Sequence, residues 1–134
     1  MIDVENEIFT EIAKAVRGEF PKAYVTGEYV RTPPSFPCIS IEERDNYPFR
    51  RTQTSTSLEK HAVIMYEVNV YSNKKSGKKS ECKAITKVID ETFERLGFYR
   101  RMLTPVPNLE DATIYRITGR YQAVVGDNKV VYRQ

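Results

Sequence analysis

Several residue types that commonly mark enzymes and metal sites are scarce in this chain of 134 residues. It has no Trp, one His, two Cys and six Gly, and no apolar run approaches the roughly 18 residues that a membrane span needs. Because His61 is the only imidazole, a multi-histidine metal site is excluded, and a Ser-His-Asp or Cys-His arrangement would depend on it alone. His61 opens a predicted strand, where a structural role is the more common one.

The two cysteines, Cys38 and Cys82, lie far apart and form no C-x-x-C motif. This spacing favours two reduced, partly buried thiols over a disulfide, and it does not suit metal ligation. We therefore expect no metal and no cofactor.

Other catalytic patterns also fail on inspection. Glu42 and Glu43 are neighbours on a predicted strand, so they point to opposite faces and do not make a carboxylate dyad with Asp45. The stretch Ser76-Gly-Lys-Lys-Ser80 would need Gly at position 72 and Ser or Thr after the first Lys to form a phosphate-binding loop. Because these positions hold Ser72 and Lys79, the motif fails, and we predict that the protein is not an enzyme.

What the chain does contain is typical of a folded domain. Hydrophobic residues make up 40% and charged residues 29%, with nine Tyr and six Phe. The length fits one domain over residues 1–134. The acidic start, Met-Ile-Asp-Val-Glu-Asn-Glu, is unlike a secretory signal, so we expect a soluble, unprocessed protein.

Hydrophobic periodicity predicts the order α-β-β-β-α-β-β-β. The first helix carries Val4, Ile8, Ile12 and Val16 on one side, with Asp3 as its N-cap and an end at residues 18–21. The second spans residues 77–96 and stops at Gly97. Strands are predicted over residues 23–30, 37–42, 61–72, 99–103, 112–125 and 130–133. Short turns within the strand blocks predict an α+β domain with a mainly antiparallel sheet and two helices packed on one face.

Three segments attract attention as contact surfaces. Residues 44–60 contain almost no core material, so they form either an extended arm or a mobile loop. The second is a basic run, made up of Lys74, Lys75, Lys78, Lys79 and Lys83. These lysines either contact an anion or a partner protein, or they belong to a solvated loop. The third is the terminal hairpin, whose valine pairs either cover a subunit interface or pack in the core: Val124, Val125, Val130 and Val131.

Charge is unevenly distributed along the chain. Residues 1–70 hold 8 Lys/Arg and 11 Asp/Glu, a balance of −3, whereas residues 71–134 hold 13 and 7, a balance of +6. Such asymmetry favours a charged partner.

Several stretches resemble small proteins from prophages and tailed phages of Gram-positive bacteria that lie among head–tail joining genes. They are residues 24–37, residues 52–79 with Met65-Tyr-Glu-Val-Asn-Val-Tyr-Ser-Asn-Lys-Lys75, and residues 105–115. The architecture is similar to the tail terminator, or tail completion, family. That resemblance implies an α+β subunit that assembles into a ring, often hexameric, which caps the tail tube and docks the head connector, with no catalytic residues.

The resemblance implies the partners and the location. We expect contacts with copies of the same chain, with the tail tube protein and with the head–tail connector protein, DNA only as passing cargo, no membrane, and a place in the virion tail or neck. Residues 44–60 would be an arm that orders on a neighbour, with Arg50 and Arg51 as anchors. The alternatives are a head-side connector or stopper and, less favoured, a small nucleic-acid-binding regulator that uses the basic run.

Overall fold

The described residues form two helices and six strands in the predicted order. The computed structural model describes residues 1–48, 61–107 and 111–132. The elements are α1 (Glu5–Glu19), β1 (Tyr24–Thr26), β2 (Cys38–Pro48), β3 (His61–Ser72), α2 (Lys78–Arg95), β4 (Tyr99–Pro105), β5 (Tyr115–Gly126) and β6 (Val131–Tyr132). The α+β class and the packing of both helices on one sheet face are confirmed. Neither α1 nor α2 has the length and apolar character that a bilayer crossing requires.

The strands form one sheet in the order β1-β2-β3-β5-β4, with β6 also pairing with β5. Among the described strands, β1 pairs parallel with β2 and the other pairs are antiparallel. Because β3 has a strand on each side, it is central in the sheet, and it carries apolar residues on both faces. The sheet therefore has β4 at one edge, and β1 and the uncovered part of β2 at the other.

The helix-covered face of the sheet carries the core. Alternate residues of β3 enter it, and they are Ala62, Ile64, Tyr66, Val68 and Val70. Their antiparallel partners on β5 include Ile117, Tyr121 and Ala123. An aromatic group joins sheet and α2, with Phe93 stacked on Tyr121 at 4.2 Å between ring centroids. Burial of these side chains is the main stabilising contribution to the fold.

The helix ends follow the local sequence. The N-cap of α1 is Val4, so the prediction of Asp3 as N-cap was wrong by one residue; Asp3 Oδ1 nevertheless accepts a hydrogen bond from the Glu5 amide at 3.1 Å. Gly97 follows α2 with φ +92°, the left-handed conformation predicted for its stop. A β carbon at this position would lie 2.9 Å from Val131 Cγ1, so close packing also favours glycine there.

The strand bounds differ from the sequence predictions by more than two residues at one end in three strands. β1 is limited to Tyr24–Thr26, because only these residues pair with β2. β2 continues to Pro48 rather than ending at residue 42, because its polar second half pairs with β3. β5 begins at Tyr115 rather than 112, because Asp111 Oδ1 accepts hydrogen bonds from the amide and hydroxyl of Thr113 and holds a turn there.

Candidate interaction surfaces

The face of the sheet opposite the helices, called here the open face, has side chains of mixed character. On β3 it carries Val63, Met65, Glu67, Asn69 and Tyr71, which alternate with the core residues. Val63, Asn69 and Tyr71 are buried but lie outside the core cluster. The open face therefore buries polar and apolar groups together.

An ion pair lies at the centre of the open face. Glu67 Oε1 accepts a hydrogen bond from Arg120 Nε at 3.1 Å and lies 3.0 Å from Arg120 Nη2 in an ion pair, across the pairing of β3 with β5. The two contacts converge on one carboxylate oxygen, so the guanidinium is held in a fixed direction. Since Glu67 is mostly shielded from solvent, the pair is stronger than an ordinary surface pair.

Asn69 links this ion pair to the next rung of the sheet. Its side-chain oxygen accepts hydrogen bonds from Arg116 Nε at 3.0 Å and Thr118 Oγ1 at 2.6 Å, and its Nδ2 donates to Glu67 Oε2 at 3.3 Å. The Arg116 guanidinium also lies over the ring of Tyr71, 5.4 Å from its centroid. The result is a connected polar cluster, and we call Glu67, Asn69, Arg116, Thr118 and Arg120 the polar network.

Besides the outer sides of the short strands β1 and β6, two longer strand edges have no partner among the described strands. One is the outer side of β4. The other is residues 41–48 of β2, because β1 covers only Cys38, Ile39 and Ser40. Unpaired strand edges present backbone donors and acceptors to a partner, so both are places where another chain can add a strand.

A groove of about 350 Å³ lies between α2 and β4. Its apolar wall includes Leu103, Pro105 and Ile117. Its charged lining is Lys83, Lys87 and Arg100, with Asp90 as the acidic residue among them. The volume lies in the range of ligand-binding clefts, and the apolar wall with a cationic border suits an amphipathic, negatively charged segment.

Thr86 adds an unmet hydrogen-bonding group to this groove. Its residue is 6% exposed, and its hydroxyl has no hydrogen-bond partner among the described residues. A buried hydroxyl without a partner costs about 1–3 kcal/mol, so a polar atom supplied from outside would be stabilising there.

Asp90 lines the groove and contacts residues of the sheet. Its Oδ1 accepts hydrogen bonds from Tyr121 Oη at 3.0 Å and Arg100 Nη1 at 3.3 Å. Burial first and the Asp90 charge second raise the pKa of Tyr121 well above its usual value. Asp90 thus ties α2 to the sheet.

A cluster of carboxylates lies at the opposite side of the sheet, near the uncovered part of β2. Burial raises the pKa of Glu43, and the nearby charges of Glu5 and Asp3 act in the same direction. Hydrogen bonds from Asn46 and Tyr66 partly offset this by favouring the charged form. Glu43 pairs with Tyr66 on the helix side whereas Glu42 pairs with Glu67 on the open face, which confirms that these neighbours do not share a site.

The basic run lies before α2 and within its first two turns. Lys74, Lys75 and Lys79 are exposed and Lys78 is half-buried. In the first turn Glu81 accepts a hydrogen bond from Ser72 Oγ at 2.7 Å, so the helix start already holds one carboxylate. An anion or partner contact of these lysines stays a prediction.

The four valines of the terminal hairpin lie in different surroundings. Val125 is fully buried in the core and Val131 packs against it, so core packing describes these two. Val124 is buried on the open face, and Val130 is 46% exposed. An interface role for Val124 and Val130 stays a prediction. Arg50 and Arg51, together with the rest of residues 49–60, lie outside the described residues, and residues 44–48 belong to β2.

The two thiols are buried and unbridged. Cys82 Sγ donates weak hydrogen bonds to the carbonyl oxygens of Val70 at 3.7 Å and Tyr115 at 3.5 Å. Burial raises the pKa of Cys38 to about 11 and that of Cys82 to about 12, so neither is an activated nucleophile. Within residues 1–48, 61–107 and 111–132, no group of three or more His, Cys, Asp or Glu side chains is placed to hold a metal ion.

The polar network, Thr86 and the two free edges were not identified from the sequence. A signal for the network was present, since Glu67 and Asn69 alternate on one strand while Arg116, Thr118 and Arg120 alternate on another. Their contact depends on the register of β3 with β5, which the pattern of each strand does not specify. Comparison with protein-family models gave no match for this chain, and comparison with curated proteins gave none either.

Proposed function

We propose that this protein is a structural assembly protein of a tailed phage, which forms a ring, caps the tail tube and joins the tail to the head. Its partners in this proposal are copies of itself, the tail tube protein and the head–tail connector protein. Its place is the virion tail or neck, where DNA passes without being a specific ligand.

The observation that carries the assembly part is the pair of unpaired edges, on β2 and β4, at opposite sides of one sheet. A subunit with an acceptor edge at each side can bind a neighbour on both sides at once, which is what a ring requires. The polar network supports the same proposal, because a fixed pattern of charges gives a protein contact its register. The phage part rests on the resemblance of residues 24–37, 52–79 and 105–115.

Electron microscopy of particles made without this gene tests the proposal. Overlong tails, or tails without heads, are the expected result, because nothing would then stop tube growth or provide the docking face. Supplying the unchanged gene in trans restores particles of normal length and serves as the control. Filled heads without tails that leak DNA would assign the protein to the head side as a connector or stopper. Normal particles would refute the proposal.

A second experiment concerns the basic run. Replacing Lys74, Lys75, Lys78 and Lys79 by Ala is expected to weaken binding of the isolated tail tube protein or connector, with a smaller salt dependence, if these lysines contact it. If the variant binds as tightly as the unchanged protein at every salt concentration, these lysines are not part of the interface. Tight, steeply salt-dependent binding to duplex DNA, lost in the same variant, would favour the nucleic-acid regulator instead.

A further inference from the structure

We infer that neighbouring copies join by antiparallel pairing of β4 of one copy with residues 41–48 of β2 in the next, with the α2–β4 groove facing the neighbour's acidic cluster. This inference rests on the proposed function in one respect, since it takes self-assembly as the task of the chain. It identifies the contact that would build the ring.

The two edges match in position, length and direction. They lie at opposite sides of the same sheet, and they offer seven residues on β4 (Tyr99–Pro105) and the eight residues 41–48 on β2. Because β2, β3, β5 and β4 are successively antiparallel, β4 and β2 of one copy run in opposite directions. A neighbour rotated about an axis along the strands therefore presents its β2 antiparallel to β4. Repetition of this head-to-tail contact gives a closed ring or a filament.

Charge also matches across the proposed contact. Residues 41–48 hold Glu42, Glu43 and Asp45 against Arg44, whereas β4 holds Arg100 and Arg101 and no acidic residue. Opposite charges on facing strands stabilise pairing, and like charges oppose it.

The match extends to the helix side of the sheet. The acidic cluster there comprises Asp3, Glu5 and Glu43, whose mutual repulsion contributes to the raised pKa of Glu43. Lys83 and Lys87 of α2 supply the positive charge of the groove on the same side, since Arg100, which also lines it, is paired with Asp90. When a sheet continues from one copy to the next, its helix sides continue as well, so these two clusters face each other. The buried Thr86 hydroxyl lies in the same groove, where a polar atom of the neighbour would satisfy it.

Bulges limit which strand can add to either edge. Arg44 interrupts the regular pairing of β2 and Arg101 that of β4. Bulges and charges on edge strands discourage indiscriminate association. An edge that carries both accepts a complementary strand in preference to others, which is how a subunit avoids aggregation and still assembles.

Charge reversal in two variants tests the contact in solution. The first variant is Lys83→Glu with Lys87→Glu, and the second is Asp3→Lys with Glu5→Lys; all four side chains are exposed. Each variant alone places like charges opposite each other at the contact. We therefore expect the self-association constant, measured by sedimentation velocity, to fall at least tenfold. In an equimolar mixture of the two variants, the reversed surface of one variant meets the reversed surface of the other, so opposite charges face each other again. The mixture should therefore associate like the unchanged chain. Matched controls with the same charge changes elsewhere, Lys14→Glu with Lys22→Glu and Glu19→Lys with Glu28→Lys, should associate like the unchanged chain.

Several outcomes overturn the inference. They are an unchanged chain that stays monomeric at millimolar concentration, reversal variants that associate like their controls, and a mixture that does not recover. If the chain self-associates but the charge reversals do not change its association constant, the inference fails while the proposed function stands. If the charge pattern is confirmed but particles without the gene mature normally, the proposed function fails and the contact remains.

Engineered disulfides test the geometry independently of charge. Asp45 or Tyr47 of β2 and Met102 or Thr104 of β4 all lie on the open face, so facing pairs share a side of the joined sheet. Chains carrying one cysteine in each strand should form ladders of linked copies on mild oxidation, whereas chains with one added cysteine stop at dimers. Both native thiols are buried and do not interfere. Failure of all four combinations to give ladders would contradict the pairing.

Discussion

The two faces of the sheet are built from alternate residues of the same strands, but they bury different kinds of groups. The helix-covered face packs aliphatic and aromatic side chains, with Tyr66, Phe93 and Tyr121 among the fully buried ones. The open face instead buries hydrogen-bonded groups around Asn69 beside valines. Apolar burial is non-directional and scales with area, whereas a hydrogen-bonded ion pair specifies distance and direction. The comparison teaches that one face supplies most of the stability and the other supplies a defined polar pattern.

The largest effect is expected on the helix-covered face. Phe93→Ala removes a fully buried ring that contacts Tyr66, Phe98 and Tyr121, so the free energy of unfolding in urea should fall by about 3–5 kcal/mol. Tyr47→Ala, on the open face and 51% exposed, is the control and should cost well under about 1 kcal/mol. Similar losses of unfolding free energy in both variants would contradict the conclusion that the helix-covered face supplies most of the stability.

The cysteines test whether the open face is shielded where it meets β1. Cys38 pairs with Tyr71 on that face and Cys82 lies in the core, and burial raises the pKa of both thiols, from 9.0 to about 11 and about 12. A disulfide reagent at pH 8 should therefore react about 100-fold or more slowly with each native thiol than with the unfolded chain, because the thiolate is the reactive form. The variants Cys38→Ala and Cys82→Ala each leave one thiol, so they show which reaction rate belongs to which cysteine. Fast reaction of Cys38 in the folded protein would show that this part of the open face is accessible.

A smaller loss is expected in the polar network. Asn69→Ala removes the acceptor of Arg116 and Thr118 and leaves buried groups unpaired, so stability should fall by about 1–3 kcal/mol. Asn73→Ala makes the same change at an exposed position and should be within about 0.5 kcal/mol of the unchanged protein. Equal effects of the two variants would mean that the network contributes nothing to stability.

The smallest effect concerns pH. Burial, with Glu5 and Asp3 as secondary causes, raises the pKa of Glu43 above its ordinary 4.5, so the folded state disfavours the charged form. Its contribution to stability is complete below the ordinary pKa and is lost as pH rises through the raised one. Glu43→Gln should therefore flatten the stability profile across that interval and be slightly more stable at neutral pH. Glu42→Gln, on the other face of the strand, is the matched control, and an identical change in both variants would contradict the assignment to Glu43.

Most of the fold could be predicted from local sequence. The helical spacing of Ile8, Ile12 and Val16, the alternation along β3 and the stop at Gly97 each depend on near neighbours, and each was confirmed. The extension of β2 to Pro48 was missed, because its polar residues carry no apolar alternation and its extended form is paired with β3.

The candidate interaction surfaces were less predictable for the same physical reason. Val124 and Val125 are adjacent in sequence and equal in hydrophobicity, yet one faces the open side and the other the core, since strand neighbours point to opposite faces. Which face holds the helices is decided by packing and not by either residue. The hydrogen bond between Asp90 and Tyr121 likewise joins residues that are 31 apart in sequence, so the local pattern of α2 does not show it.

The sequence by itself determined the type and order of the elements, because helix and strand periods, caps and turns are written in residues that lie close together along the chain. Only the tertiary structure decided that Glu67 meets Arg120, 53 residues away, that Thr86 is buried without a partner, and that β4 and part of β2 remain uncovered among the described strands. These features depend on the register and order of strands in the sheet, and register is set by the summed packing of all strands and both helices.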